Sequence, residues 1–182
     1  MEYRGIIRTA YYDSPCGRLK LGSFDGRICL CDWQVEGHRD RIDRRLSRLL
    51  NAEFENGTSD IILKAESQLD EYFARKRNTF DVPLFSAGTD FQKKVWSELL
   101  RIPYGTTVSY GDIARRIGKP NAVRAVANAN GANPISIFVP CHRVIGNDKS
   151  LTGYGGGLEA KRWLLELEGT VQMLLERRLS NF

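Results

Sequence analysis

The chain has 182 residues, 42% of them hydrophobic and 27% charged, which is enough for one ordinary domain or two small ones with a real core. No apolar run approaches the roughly 20 residues of a membrane span, and four cysteines are too few for a disulfide scaffold at this length, so we expect a cytoplasmic protein. The net charge is +5, and its whole excess lies in residues 86–182, which indicates an anionic partner, nucleic acid first.

The first half has the pattern of an α/β domain. Three short strands are predicted, over residues 6–12, 18–24 and 27–33. The Asp25-Gly26 pair between the last two is typical of a hairpin turn. Two amphipathic helices are predicted next, over residues 38–50 and 58–76. The composition then shifts through Pro83, Ser86 and Gly88, where we place a domain boundary.

The second half is predicted to be mostly helical. Thr89–Gln92 and Ser109–Asp112 have the pattern of capping boxes, and each opens a helix. The second of these helices runs to about Ile117, and after the tight turn Gly118–Asn121 another helix is predicted over residues 122–130. This is the helix-turn-helix layout, although two packed helices with no nucleic-acid role have the same pattern.

The second helix of this pair has an unusual composition. A helix that reads the major groove carries long polar side chains, whereas this one carries small ones, namely Ala122, Val123, Ala125, Val126, Ala127 and Ala129. Such a surface can approach DNA closely without reading much sequence. The one long polar exception is Arg124, which could enter the base stack; a phosphate contact or a salt bridge is the alternative.

A cysteine and a histidine lie side by side at a fixed bend. The apolar run 135–139 ends at Pro140, which has no N–H and a locked φ, and Cys141 and His142 follow directly. A thiol is a nucleophile as its thiolate, and a neighbouring imidazole is the usual base. The pair therefore indicates nucleophilic chemistry, with a structural cysteine beside a surface histidine as the alternative.

A last helix, predicted over residues 157–168 and ended by Gly169, carries a misplaced carboxylate. Glu168 shares an apolar face with Lys161, Leu164 and Leu165 and lies at the helix C-terminus, where the macrodipole disfavours negative charge. It therefore needs a partner. His142 is the best candidate, which gives a Cys141–His142–Glu168 relay, while a surface glutamate closing the helix is the alternative.

These residues resemble those of the O6-alkylguanine-DNA alkyltransferases, also called methylated-DNA–protein-cysteine methyltransferases. The matching residues are Pro140–Val144, Arg124, Asn133, Tyr110 and the loop 153–157. The resemblance is dense from Phe91 to Gly169 and looser before that. It implies an α/β ribonuclease-H-like domain, residues 1–85, with a three-stranded antiparallel sheet plus helices, followed by an all-α winged-helix-like domain, residues 86–182, with the helix-turn-helix.

The resemblance implies a suicide enzyme that needs no cofactor. Cys141 would attack the alkyl carbon on guanine O6 in one displacement and would not be regenerated. His142, held by Glu168, would act as base through a water. Tyr110 would donate a proton to the leaving guanine, and Asn133 would be the hinge between the helix-turn-helix and the active-site loop.

The implied partner is double-stranded DNA containing O6-alkylguanine, bound by a monomer away from any membrane; O4-alkylthymine stays open as a second substrate. Arg124 would fill the space left by the flipped nucleotide, because the small-residue helix enters the minor groove. The other residues implied at the DNA or the guanine are Ala122, Val123, Ala125, Ala127, Asn128, Cys141, Val144, Tyr154 and Gly155.

Two departures from the family pattern stand out. Gly155 replaces the serine or other larger residue of many relatives, which leaves the tolerance for bulky alkyl groups open. Some relatives also bind zinc, and four residues of the first half could supply ligands, namely Cys16, Cys29, Cys31 and His38. Because Cys29 and Cys31 alternate on a strand and should share one face, core burial is favoured, and we expect no metal.

Two other functions are weighed against repair. A lesion sensor lacks the cysteine, often with tryptophan in its place, and Cys141 is present here. A cysteine hydrolase would need an oxyanion hole and a water-driven step, for which the sequence has no clear motif. Residues 170–182 have a helical pattern, and we expect them to pack back on the body without chemistry.

Overall fold

The structure, a computed structural model, describes residues 4–170. Its first half contains the three predicted strands as an antiparallel meander, β1 (Gly5–Ser14), β2 (Gly17–Phe24) and β3 (Arg27–Trp33). The predicted hairpin turn is confirmed, since Asp25 and Gly26 both have positive φ, 50° and 68°, as a tight two-residue turn requires.

A fourth strand, β4 (Ala52–Asn56), extends the sheet and was not predicted from the sequence. It pairs in parallel with β1, so the sheet is mixed and has the order β3-β2-β1-β4. Only five residues long and carrying two glutamates, it lacks the apolar alternation that marks a strand. Its glutamates instead pair with arginines near or on β1, Glu53 with Arg4 and Glu55 with Arg8, each at 2.7 Å.

The helices α1 (His38–Leu50) and α2 (Asp60–Phe73) cover the sheet. Residues Ile42 and Leu46 of α1 pack in one apolar cluster with Ile7 and Leu30, and α2 packs in the other cluster. The prediction for α1 is confirmed to the residue. The second helix is shorter than predicted, because Ser59 caps it by accepting a hydrogen bond from the Ile62 N–H.

The expectation that Cys29 and Cys31 share one face is wrong. The pairing of β2 with β3 shifts register at Gly22/Ser23, and such a bulge adds a residue to one strand and turns the following side chains. Cys31 therefore packs in the cluster of α2 and Cys29 in that of α1, and both are fully buried. Over residues 4–170 no group of three or more His, Cys, Asp or Glu side chains is placed to hold a metal ion.

The second half contains four helices within the described part of the chain: α3 (Asp90–Leu99), α4 (Tyr110–Arg116), α5 (Val123–Gly131) and α6 (Gly157–Leu167). Both predicted capping boxes are confirmed, at Thr89 and at Ser109. The half is not purely helical, however. Strands β5 (Val108–Ser109) and β6 (Val144–Ile145) form a parallel pair, and two-residue strands are too short to leave a period in the sequence.

The two halves share a core and a backbone junction. One apolar cluster extends from β2 and α2 through α3 to α6. Next to it, the segment that leads to Cys141 lies along β3: Cys31 N–H donates to the Pro134 carbonyl at 2.9 Å, and Ser136 N–H donates to the Cys31 carbonyl at 2.6 Å. The predicted boundary at residues 85/86 falls in the irregular chain between α2 and α3 and stays a prediction.

Among the helices described, none is long and apolar enough to cross a bilayer. The helix expected in residues 170–182 lies outside the described residues from position 171 onward.

Candidate active site

An irregular segment positions Cys141, and two asparagines hold it. The Asn133 amide donates to the Val139 carbonyl at 2.9 Å, while its oxygen accepts from the Ile135 N–H at 3.0 Å. Asn130, near the end of α5, donates to the Cys141 carbonyl at 3.4 Å. Asn133 thus ties the chain after α5 to the segment that ends at the nucleophile, and its role as a hinge stays a prediction.

His142 and Glu168 form a buried pair. The His142 Nε2 atom lies 2.8 Å from Glu168 Oε1, and both side chains are fully buried. Glu168 is the C-cap of α6, one residue before Gly169, which the sequence analysis took as the cap. Its burial rules out the surface alternative. Because an ionised carboxylate only accepts hydrogen bonds, Nε2 carries the proton, and the basic lone pair is on Nδ1. Nδ1 is buried and has no hydrogen-bond partner among residues 4–170.

Arg143 and Tyr72 complete this site, and the sequence analysis assigned neither of them a role. Arg143 clamps Glu168 through Nε on Oε2 and Nη2 on Oε1, both at 2.9 Å, and Tyr72 donates to Oε1 at 2.7 Å. Burial alone would raise the pKa of Glu168, but the hydrogen bonds and positive charges of His142 and Arg143 outweigh it and hold that pKa well below its usual range. The position of Arg143 within the Pro140–Val144 motif could have indicated that it belongs to the site. Nothing in the sequence around Tyr72, in α2, indicates the same for that residue.

In the resting protein both Cys141 and His142 are neutral near pH 7. Burial raises the pKa of the Cys141 thiol, and a hydrogen bond with Asn133 offsets only part of that rise. Burial also lowers the pKa of His142, although the hydrogen bond and the negative charge of Glu168 act to raise it. One 3₁₀ turn, Cys141–Arg143, brings thiol and imidazole close, yet within the described residues no direct hydrogen bond joins them. The thiol is therefore inert until a base removes its proton.

A buried lysine lies beside the thiol. Lys161 Nζ donates to the Val144 carbonyl at 2.6 Å and to the Thr152 carbonyl at 3.0 Å, which ties α6 to the chain on both sides of residues 145–151. Burial lowers the pKa of Lys161 to about 8, and the nearby Cys141 thiolate would raise it. The position of Lys161 on the apolar face of α6 could have indicated that it binds polar groups of another segment, since a buried cation must have partners.

Tyr110 and Tyr154, two tyrosines of the predicted site, are each held by a hydrogen bond to the hydroxyl. The Tyr110 hydroxyl accepts from Thr152 Oγ1 at 3.2 Å, and burial raises its pKa, so it holds a proton at neutral pH. Tyr154 belongs to the Gly-rich loop (residues 153–157), and its hydroxyl accepts from Trp33 Nε1 at 3.1 Å. Tyr110 lines a cavity of about 470 Å³ between α1, α4 and α5, together with Thr152 and Gly153.

The helix-turn-helix leaves one face of α5 open. Val126, Ala129 and Asn130 are buried, and the Ala129 carbonyl accepts from Trp96 Nε1 at 2.8 Å. The residues implied at DNA lie on the rest of the helix and are exposed or half-buried: Ala122, Val123, Arg124, Ala125, Ala127 and Asn128. Within residues 4–170 Arg124 forms no ion pair, so the salt-bridge alternative is not observed.

Comparison with known protein families matches both halves of the chain. Residues 7–85 match the ribonuclease-like domain of 6-O-methylguanine DNA methyltransferase, and residues 90–170 match its DNA-binding domain. A methylated-DNA–protein-cysteine methyltransferase of Methanosarcina acetivorans is 56% identical over 161 residues, which cover 88% of this chain and 97% of that protein. One from Mycobacterium tuberculosis is 62% identical over 104 residues, 57% of this chain, and the match spans only 63% of that relative.

Solved structures show the same similarity over most of the chain. The M. tuberculosis O6-methylguanine methyltransferase is 46% identical, with a TM-score of 0.72 over 89% of this chain and 91% of that one. The M. tuberculosis protein in complex with DNA is 45% identical, with a TM-score of 0.74 over 90% and 92% of the two chains.

Proposed function

The chain belongs to the methylated-DNA–protein-cysteine methyltransferase family, and on that premise we propose that it repairs DNA by transferring the alkyl group of O6-alkylguanine irreversibly to Cys141. The observation that carries the proposal is the position of Cys141, directly before a buried His142–Glu168 pair whose free Nδ1 is basic. We further propose that it acts as a cytoplasmic monomer with two domains, residues 1–85 and 86–182, and without a cofactor.

The proposed reaction is a single displacement. His142 Nδ1 takes the Cys141 proton through a water, and the resulting Sγ forms a bond to the alkyl carbon as the bond from that carbon to O6 breaks. The electron pair of that bond goes to O6, and the Tyr110 hydroxyl supplies the proton that leaves guanine neutral. His142 and Tyr110 then recover their resting states through solvent. No step cleaves the new thioether, so each molecule acts once.

Binding is proposed to involve α5 and the Gly-rich loop. A stacked base cannot reach a buried thiol, so the nucleotide must be flipped, at a cost of a few kcal/mol that is least for a damaged base. The open small-residue face of α5 suits the minor groove, which is only about 6 Å wide. Backbone groups of Cys141, Val144 and Gly155 then contact the guanine, and Tyr154 is proposed to belong to the same pocket.

The test is the intact mass of the protein after incubation with a duplex that contains one O6-methylguanine. We expect a gain of one methylene per chain, located in the Cys141 peptide, that stops at one equivalent. Preferential binding of the damaged duplex with unchanged mass would instead make the protein a lesion sensor. Loss of the methyl group from DNA without any gain in protein mass would favour a hydrolase.

The pH dependence of transfer tests the proton relay. His142 stays neutral above its ordinary pKa of 6.5 because its pKa is lowered, and Cys141 stays protonated below its ordinary 9.0 because its pKa is raised. Because the Cys141 proton passes to His142 and not to the solvent, the rate of methyl transfer should not depend on pH between 6.5 and 9.0. The rate should fall at lower pH, where His142 is protonated and cannot accept the proton. In His142→Asn the thiolate must form by loss of a proton to solvent, and the rate should rise about tenfold per pH unit. A wild-type rate with that same slope would contradict the relay.

Replacement of Arg124 separates nucleotide flipping from chemistry. We expect Arg124→Ala to slow transfer from duplex DNA by about 10–100-fold, because the flipped state loses the side chain that fills its gap. Transfer from O6-methylguanine as a free base should be unchanged, since nothing is flipped. Arg124→Lys keeps the charge and is the matched variant. Full activity in Arg124→Lys would show a phosphate contact instead.

A further inference from the structure

The Gly-rich loop is packed against side chains from the first half of the chain. The hydroxyl of Tyr154 is bonded to Trp33, and a Cβ built on Gly156 would lie 2.5 Å from the Trp33 ring. A Cβ on Gly155 would lie 2.8 Å from His38 Nε2. Neither glycine has the positive φ that favours glycine, so both are glycines because of these contacts rather than because of their backbone.

His38 is held in this place by a buried carboxylate. Its Nε2 atom lies 2.8 Å from Asp32 Oδ2, and the Asp32 side chain is 1% exposed. The same oxygen accepts from Arg39 Nη1 at 3.0 Å. The imidazole orientation, and with it the surface on which Gly155 rests, therefore depends on Asp32.

The other oxygen of Asp32 contacts the segment that carries the nucleophile. Ser136 Oγ donates to Asp32 Oδ1 at 3.2 Å, and both residues are buried. The backbone of Ser136 is bonded to β3 at Cys31, so this contact continues a main-chain junction. Ser136 also lies close to the Cys141 thiol, and its single hydroxyl proton is the one donated to Asp32.

We propose that Asp32 is a positioning residue for both loops of the active site, seating the Gly-rich loop through His38 and the nucleophile segment through Ser136. Its effect on transfer rests on the proposed function. Reacting groups must be held closely, and a displacement of about 1 Å can cost about 100-fold in rate. Asp32 and His38 lie outside α5, which carries most of the residues proposed to contact DNA, so we expect their replacement to slow transfer on bound DNA more than it weakens DNA binding.

Amide hydrogen exchange of the free protein tests the positioning without any chemistry. We expect His38→Ala to raise exchange in residues 153–157 only, and Ser136→Ala in residues 134–141 only. Asp32→Asn should raise both, with α3 unchanged as the internal reference for global unfolding. Arg44→Ala, at an exposed position of the same α1 helix, is the control and should change neither. Unchanged exchange in both single-loop variants would overturn the proposal.

A double-mutant cycle then measures the contact in the reaction. Gly155→Ala places a Cβ against His38 and should slow transfer on saturating duplex by about tenfold or more, with the duplex Kd changed less than about threefold. His38→Ala alone should also slow transfer, because it removes the surface that seats the loop. Since both changes act on the same contact, the loss in the double variant should be smaller than the product of the two single losses. A loss equal to that product would contradict the proposal. If the wild type transfers no methyl group, the proposed function fails, and the exchange data still decide the positioning.

Discussion

Replacing Cys141 by alanine is expected to abolish methyl transfer while the damaged duplex is still bound. Displacement at the alkyl carbon needs a nucleophile, and the alanine side chain supplies none. We expect the rate to fall by at least about 10⁴-fold, the scale on which removal of a nucleophile acts. The Kd for the duplex should change less than about threefold, because the residues proposed to contact DNA lie on α5 and Cys141 is buried.

The measurement is single-turnover loss of the methyl group from DNA, read together with protein mass. Cys16→Ala is the matched control, because Cys16 is a half-buried thiol whose hydrogen bonds are with Ser14, and its removal should leave the rate unchanged. Residual transfer in Cys141→Ala with the methyl group on another residue would reject Cys141 as the acceptor. Continued loss of methyl groups from DNA without protein modification would indicate hydrolysis.

Local signals made most of the fold predictable. Capping boxes at Thr89 and Ser109 and the hairpin at Asp25 depend on residues at most three positions apart, and the structure confirms all three. Strand β4 was missed because its pairing with β1 comes from residues more than 40 positions away, not from its own composition. The bulge that separates Cys29 from Cys31 likewise arises from the pairing of two strands.

The candidate site was likewise predictable only in part. Glu168 could be paired with His142 because a carboxylate on the apolar side of a helix end requires a partner, and the structure places the two 2.8 Å apart. The contact of Tyr72 with Glu168 could not be predicted from the sequence, since the two residues are 96 positions apart and Tyr72 has the pattern of an ordinary core tyrosine. His38 had been considered as a zinc ligand, but its contact with Gly155 depends on how the two halves pack, which no local pattern shows.

Glu168→Gln is expected to destabilise the protein and to slow transfer together. The amide leaves the buried Arg143 guanidinium without its counter-charge, and breaking a buried pair in this way costs about 3–5 kcal/mol of unfolding free energy. It also removes the carboxylate that fixes the His142 tautomer with Nδ1 as the base, so transfer should fall by about 100-fold or more. Chemical unfolding and single-turnover kinetics measure the two effects. Glu166→Gln, an exposed position on α6, is the control and should change neither.

The loss of stability should depend on pH with a definite sign. The pKa of Glu168 is lowered in the folded state, so its charge stabilises the fold at every pH above the ordinary value of 4.5, and this contribution disappears as the pH falls towards the folded pKa. The difference in unfolding free energy between wild type and Glu168→Gln should be constant from pH 6 to 8 and narrow below about 4.5. Adding Arg143→Met to Glu168→Gln should recover part of the lost stability, because no unpaired charge then remains buried. A double variant less stable than Glu168→Gln would mean that Arg143 stabilises the fold through its bond to the Ile102 carbonyl more than through Glu168.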